Sequence, residues 1–382
     1  MRGSEAAFSK EELGERQTRA QEAVKANGHE AIIVSGPETI YWLTGRQTAG
    51  YFAFQALILP AEGAPTLLVR QLEYMGTIAN TWLDDIVVYQ DGEDPVEALI
   101  DALRARRITR PAIELSGWFL SPRVAGEIAG RLGAGPLSDG SHILPPLRMV
   151  KSAAELEAIR AAARYAEAGM VAGIDACAPG ADENAVAAAM LYAATRAGSE
   201  AMAMEPLVSS GNRSGLPHMT WRRRKLAKGE PLFLELAGSH ARYHAALMRT
   251  VWVGTPPSEA ERMMDCALRA LDAALRAIRP GVACSVPHQA AQKVIDAAGY
   301  TAAFRKRIGY SMGVAFAPDW GEGAILSLFS DVATPIEAGM VFHLPATLRS
   351  YGHFTVGASE TVIVTDHGAE PLSSLPRGMA IR

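Results

Sequence analysis

Leu144 is followed by two consecutive prolines, Pro145 and Pro146, and neither can donate to a strand ladder or continue a helix. The chain is therefore expected to break there, and at 382 residues it is too long for one ordinary core. The two sides of the break read differently. Before it, short apolar runs alternate with helical stretches. A polar helix runs up to Asn27, a strand over 31–35 is stopped by Gly36-Pro37, and runs at 56–59 and 66–69 flank the hairpin signal Glu62-Gly63. A strand at 85–89, a helix from Pro95 to about Arg107, a strand at 112–115 and a helix over 121–132 complete the pattern. Such alternation predicts an α/β layer on one sheet. After the break, Ser152 with Glu155 forms a capping box opening a long helix through Ala178, and a second helix covers 182–197. Strands are expected at 232–235 and 247–253, helices over 258–278 and 285–298, and strands near Met340 and over 361–365. That order predicts an α+β domain, so the expected division is 1–146 and 147–382.

Composition narrows the class of function. Hydrophobic residues make up 49% and charged residues 20%, the balance of a globular chain. Net charge is −4, and the one dense basic stretch, Arg222 to Lys225, reads as a solvated turn. Neither nucleic acid nor a membrane surface is an expected partner. Cys177, Cys266 and Cys284 are far apart, odd in number and without metal or redox spacing, which predicts free thiols in a reducing compartment. Met1 to Glu12 lacks the apolar core of a signal peptide, and no apolar run reaches the ~18 residues of a membrane span. A cytoplasmic location is the expectation that remains.

Five segments after the break carry residues that core packing does not require. Ser209 to His218 is a Gly/Ser-rich loop ending in histidine, and Leu232-Phe-Leu-Glu235 sets a carboxylate in an apolar strand. Burying a glutamate costs several kcal/mol unless it is partnered, so Glu235 is expected at a strand end or in a functional role. Gly309-Tyr310-Ser-Met-Gly313 begins a loop that continues through Pro318-Asp-Trp320-Gly-Glu322. His343 lies in a second apolar strand, and Glu360 stands at the head of a third. Singly, each has a structural explanation; the order and spacing of the set is what points to a site.

In that order and spacing the chain resembles the pita-bread family of creatinase, aminopeptidase P and prolidase, over nearly its whole length. Ile40-Tyr-Trp-Leu-Thr-Gly45 is similar to the N-terminal domain of creatinase-type members. Leu147-Arg-Met-Val-Lys-Ser with Glu155-Leu-Glu-Ala-Ile-Arg, and Gly339-Met-Val-Phe, are similar to the catalytic domain. The resemblance implies an α/β creatinase-like N-terminal domain and an α+β pita-bread catalytic domain. Family peptidases hold two metal ions with two aspartates, a histidine and two glutamates. The matching positions here are Glu235, Ala246, Tyr310, Pro345 and Ser359, with Glu360 displaced by one. Alanine and proline offer no side-chain donor to a divalent ion, so no metal and no other cofactor are expected. Within the family, Glu235-Leu-Ala-Gly, Arg242-Tyr-His, Arg249-Thr250 and Pro318-Asp-Trp-Gly-Glu322 resemble the metal-free ectoine hydrolase branch. Met248 stands where a creatinase would carry its second-strand carboxylate, which argues against creatine.

What the resemblance implies about roles is specific. Glu235 is expected as nucleophile or general base, His218 as the acid that protonates the leaving nitrogen, and Glu360 as holder of a cationic substrate nitrogen or of a water. Tyr310, His343, His244 and Trp320 are expected to bind substrate. The aromatic stretch around Tyr51 and Phe52 resembles the region that closes the partner's active site in related homodimers. The expected activity is hydrolysis of a C–N bond in a small cyclic amidine or amide. Two alternatives stay open: another reaction, such as a lyase step in a natural-product pathway, and a metal-free peptide-binding protein without catalysis.

Overall fold

The computed structural model describes residues 1–133 and 135–382 and divides into two units, Met1–Arg148 and Met149–Arg382. The division falls two residues beyond the expected one. Pro145 and Pro146 do not form an extended linker; they open a short helix, Pro145–Met149. Proline is tolerated in a first helical turn, where its missing N–H has no intrahelical partner to lose.

In the N-terminal unit, α1 (Lys10–Ala26) precedes β1 (Ala31–Val34) and α2 (Pro37–Thr44). Then come β2 (Ala56–Pro60), β3 (Thr66–Arg70), α3 (Tyr74–Asn80), β4 (Ile86–Tyr89), α4 (Pro95–Ala105), β5 (Ala112–Ile113), α5 (Pro122–Leu132), β6 (Ser138–Asp139) and α6, the Pro145–Met149 helix. The strands form one sheet in the order β4-β3-β2-β1-β5-β6. The expected hairpin is the antiparallel β2–β3 pair, and β1 lies between β2 and β5. Ile32 and Val34 enter one apolar cluster and Ala31 and Ile33 another. Burial on both faces is why this run reads as continuously apolar.

The second unit begins with α7 (Ala153–Ala176), closed at its start by the Ser152–Glu155 capping box, and α8 (Glu183–Ala197). It continues with β7 (Leu207–Ser210), β8 (Pro231–His240), β9 (Tyr243–Trp252), α9 (Ser258–Ala277) and α10 (Ser285–Ala297). The last elements are β10 (Gly309–Ser311), β11 (Ser327–Leu328), β12 (Val341–Ser350), β13 (Phe354–Thr365), β14 (Gly368–Pro371) and β15 (Ala380–Ile381). Two sheets result, β15-β9-β8-β7 and β11-β10-β12-β13-β14.

Each sheet buries one face against helices. On β8 the even positions Leu232, Leu234 and Leu236 pack with Ala166, Met170 and Met190 of α7 and α8. On β12 and β13, Phe342, Leu344, Val356, Val362 and Val364 pack with α9 and α10. Side chains alternate along a strand, so the odd positions of β8, β12 and β13 share the other, inner faces. These inner faces oppose each other. Thr361 Oγ1 donates to Ala246 O at 2.9 Å and accepts from Ala246 N at 3.0 Å. Thr250 Oγ1 donates to Gly357 O at 2.9 Å and accepts from Gly357 N at 3.0 Å. Gly357 has φ 136°, and a Cβ there would lie 2.3 Å from Ala346 O, so only glycine fits this close approach. Between the two stitches Met248 and Ser359 face the interior, and Met248 is the cross-strand neighbour of Glu235.

Candidate active site

Glu235 lies in the middle of β8, on the inner face and 4% exposed. It is not at a strand end, so its burial needs an explanation in charge. Burial raises its pKa, and the cations that oppose the rise are Arg349 and Lys306. Burial likewise lowers the pKa of Lys306, with Arg349 adding repulsion and Glu235 working against both. Lys306 Nζ donates to Thr347 Oγ1 at 2.7 Å. Thr347 and Arg349 occupy the same face of β12 as His343, two and three alternations along.

A hydrogen-bonded chain lines the neighbouring part of the inner face. Tyr310 on β10 pairs with His343 on β12, and Trp320 Nε1 donates to the Tyr310 hydroxyl at 3.0 Å. His343 Nδ1 stands 2.8 Å from that hydroxyl, and its Nε2 stands 2.7 Å from Ser359 Oγ. Burial lowers the His343 pKa to about 3, so the ring is neutral and carries one N–H. Two proton arrangements satisfy the chain. With the proton on Nε2, Tyr310 donates to Nδ1 and the Ser359 O–H is left for a ligand; with it on Nδ1, Ser359 donates to Nε2 and the Tyr310 O–H is left. The chain can present a neutral donor at either end without acquiring charge. The Arg307 guanidinium lies 4.7 Å from the Tyr310 ring centroid and adds positive charge behind it.

His218 ends the loop that follows β7 and is exposed, with φ 55°. Its pKa is lowered by partial burial and by Arg349 and Lys306, with Asp319 opposing, which places it at the rim of the same charge cluster. The loop is held from below by Glu183, which is fully buried. Its carboxylate accepts from Ser210 N at 2.9 Å, Ser210 Oγ at 2.6 Å, Arg213 Nη1 at 2.7 Å and Arg222 N at 2.7 Å. At the loop's centre Gly215 abuts the β12–β13 turn, where a Cβ would meet His353 N at 2.5 Å.

The other expected site residues have different surroundings. Glu360 is not at a strand head: it lies mid-strand in β13, fully buried, on the face of Leu344 and away from His343. Its Oε1 accepts from Arg249 Nη2 at 2.9 Å and from Arg377 Nε at 3.1 Å. It is committed to two arginines of its own chain rather than to a substrate cation. His244 is on the inner side, but both nitrogens serve the backbone. Nδ1 lies 2.9 Å from Arg242 O and Nε2 accepts from Ala203 N at 3.0 Å, while burial lowers its pKa to about 4. Tyr51 and Phe52 belong to the N-terminal unit, where Tyr51 packs edge-to-face on Phe119 and Phe52 is 79% exposed. The structure adds Lys306 and Arg349, which the sequence reading passed over. Arg349 shares the parity of His343 along β12, and that parity was the signal available.

Opposed, helix-backed sheets with a carboxylate buried between them define the pita-bread class. The chain belongs to metallopeptidase family M24, whose model matches residues 157–366, preceded by a creatinase/prolidase N-terminal domain at 16–150. It is 26% identical to the ectoine hydrolase of Halomonas elongata over 98% of both chains. It is 30% identical to the uncharacterized hydrolase/peptidase y4tL of Sinorhizobium fredii over 92% of both. The prolidase of Thermococcus sibiricus has the same fold, with a TM-score of 0.88 at 22% identity, covering 97% of this chain and 99% of that one.

The family implies a divalent pair, and the residues present do not fit one. Ala246 and Pro345 have no donor atoms, and the Ser359 hydroxyl is engaged with His343. Two cationic side chains act on Glu235. Among the described residues no group of three or more His, Cys, Asp or Glu could hold an ion. No helix among them is long and apolar enough to cross a membrane.

Proposed function

We propose that the protein hydrolyses a C–N bond of a small cyclic amidine or amide, and does so without a metal ion. The observation that carries this reading is Glu235, a carboxylate buried between two sheets with protein cations where the family's metal charge would be. Glu235 acts at the electrophilic carbon as nucleophile or as the base that deprotonates water. Burial makes it the stronger base, and Lys306 and Arg349 supply the positive potential that stabilises negative charge developing at that carbon. The O–H left free by the Tyr310–His343–Ser359 chain can donate to the same developing charge. His218 gives its proton to the departing nitrogen, and water supplies the atoms of the new C–O bond and the returned proton. Similarity to an ectoine hydrolase favours a cyclic amidine ring of the ectoine kind over a peptide.

The test is to incubate chelator-treated protein with ectoine, 5-hydroxyectoine, creatine and a proline dipeptide and to follow masses. Addition of one water to an ectoine-type ring is expected, and Glu235→Gln should abolish it while leaving circular dichroism unchanged. Turnover that appears only when divalent ions are restored, or that selects the dipeptide, would overturn the reading.

A further inference from the structure

We propose that Lys151 and Glu322 are positioning residues, a buried ion pair that sets Trp320 against the Tyr310 hydroxyl. The pair thereby fixes one end of the Tyr310–His343–Ser359 chain. The proposal rests on the hydrolase reading for what that hydroxyl does, and on the geometry of the pair for how it is held. The two side chains are 1% and 3% exposed and stand 2.9 Å apart. An ammonium has three N–H groups, and Lys151 Nζ has three acceptors: Glu322 Oε2 at 2.9 Å, Ser311 Oγ at 3.3 Å and Met149 O at 3.3 Å. The backbone of Lys151 is tied down as well, its N–H donating to Gly339 O at 3.0 Å. The Glu322 carboxylate lies over Gly313, where a Cβ would overlap both of its oxygens. Any side chain at 313 would push the carboxylate out of reach of Lys151.

What the pair holds is the register of two segments. Ser311 ends β10, one residue after Tyr310, and Glu322 follows Trp320 by two residues. Glu322 N donates to Ser311 O at 2.8 Å and Ser311 N to Leu326 O at 3.0 Å, while Lys151 joins the two side chains. With 311 pinned to 322, Trp320 comes alongside Tyr310 and its Nε1 donates to the hydroxyl at 3.0 Å. The backbone between them follows the ring closely, for a Cβ on Gly321 would lie 2.6 Å from a Tyr310 ring carbon. Just beyond Glu322, Arg307 Nη1 donates to Gly323 O at 3.1 Å, with its guanidinium 4.7 Å from the Tyr310 ring centroid. Stability alone does not call for such a pair. Replacing a buried ion pair by apolar side chains of similar volume is often neutral or stabilising, because both charges must be stripped of water to form it. What the pair provides and apolar packing does not is direction. Direction matters at Tyr310, because a hydroxyl oxygen that accepts from Trp320 is polarised to give its own proton more strongly to the next acceptor.

The experiment compares Lys151→Met, Lys151→Arg and the double variant Lys151→Met/Glu322→Met with wild type. Two quantities are read: turnover of ectoine per folded molecule, and the NMR resonance of the Trp320 indole N–H, assigned by its loss in Trp320→Phe. Lys151→Met should lower kcat by about tenfold to a hundredfold, leave KM within about threefold and displace the indole resonance. Lys151→Arg keeps a donor for Glu322 and should retain part of the turnover. The double variant is decisive, because it removes both charges and strands neither. It should melt within about 5 °C of wild type while keeping the low kcat and the displaced resonance. If it recovers wild-type kcat together with its melting temperature, the pair only stabilises and the proposal is wrong. An indole resonance that does not move in Lys151→Met refutes it equally. The resonance is read without substrate, which separates the two readings. A wild type that turns over nothing would sink the hydrolase and leave the resonance to decide the placement; an active wild type matched in kcat by Lys151→Met would sink the placement alone.

Discussion

Glu360 and Arg249 form the pair whose perturbation separates a structural carboxylate from a catalytic one. Both side chains are buried, at 0% and 1% exposure, and lie 2.9 Å apart. Arg249 also donates to Met248 O at 2.9 Å, Ser359 O at 2.7 Å, Pro376 O at 3.0 Å and Leu375 O at 3.2 Å. It ties the C-terminal segment and the seam between the sheets together. The Glu360 pKa is raised by burial beyond what Arg249 and Arg377 return, and its Oε2 has no partner. A carboxyl whose folded pKa is raised gains little from being ionised, so removing its charge costs little. Glu360→Gln keeps an oxygen for both arginines and should change stability by no more than about 1–2 kcal/mol, with turnover within about threefold of wild type. Arg249→Met strands Glu360 and releases four carbonyls. Breaking one side of a buried pair costs about 3–5 kcal/mol. At about 2–4 °C per kcal/mol for a unit of this size, that is a fall in melting temperature of roughly 6–20 °C. The double variant Arg249→Met/Glu360→Met should recover part of the loss, because no charge is then left unpaired. Differential scanning calorimetry and initial rates per folded molecule decide the matter. A Glu360→Gln protein that melts normally but loses turnover a hundredfold would refute the placement of Glu360 outside the chemistry.

The pH dependence of kcat/KM should be a narrow bell. The acid limb falls as pH drops through a value above the ordinary 4.5 of a glutamate, because Glu235 must be ionised and its pKa is raised. The alkaline limb falls as pH rises through a value below the ordinary 10.5 of a lysine, because Lys306 must be charged and its pKa is lowered. Both limbs are properties of the interacting pair, so Lys306→Met should remove the alkaline limb and shift the acid one; a limb that stays in place would dissociate Lys306 from the reaction. Glu183→Ala removes the acceptor that gathers Ser210, Arg213 and Arg222. Amide exchange over 210–222 should accelerate at least tenfold and KM should rise more than kcat falls, whereas unchanged exchange would show that the loop is held by other contacts.

Where the sequence could be read and where it could not follows from the range of the interactions. The capping box at Ser152, the hairpin at Glu62-Gly63 and the helix after Asp94 are decided by neighbours within a few positions, and the structure has them. Glu235 and Glu360 look alike locally, each a carboxylate among apolar strand residues. They differ because partners distant in sequence, Arg249 and Arg377, meet Glu360 on the helix side of β13, while Glu235 faces the opposite sheet. Lys306 sits in the run Arg305-Lys306-Arg307, which by composition is a solvated stretch; its hydrogen bond to Thr347 turns it inward. His244 was an attractive donor until folding supplied both of its nitrogens with backbone partners.

The lost ligand positions are also filled in a consistent way. A peptidase site that had merely decayed would leave polar voids between the sheets, and voids there are costly. At Ala246 the backbone is instead bonded on both sides by Thr361, and Ser359 is engaged by His343. Tyr310 is fixed by Trp320, and Met248 stands beside Glu235 as its cross-strand neighbour on β9. Among the buried polar groups left without partners, Arg349 Nε and Thr355 Oγ1 lie side by side on the inner face, and Ser239 Oγ lies on the same face of β8 as the buried Glu235. Unpartnered donors beside a buried carboxylate are what a retained binding surface requires and what a scaffold without a ligand does not. On that ground a catalytic reading accounts for the inner face better than a peptide-binding pseudo-peptidase, whose groove would need apolar and backbone-bonding surface rather than two unneutralised cations around a buried glutamate.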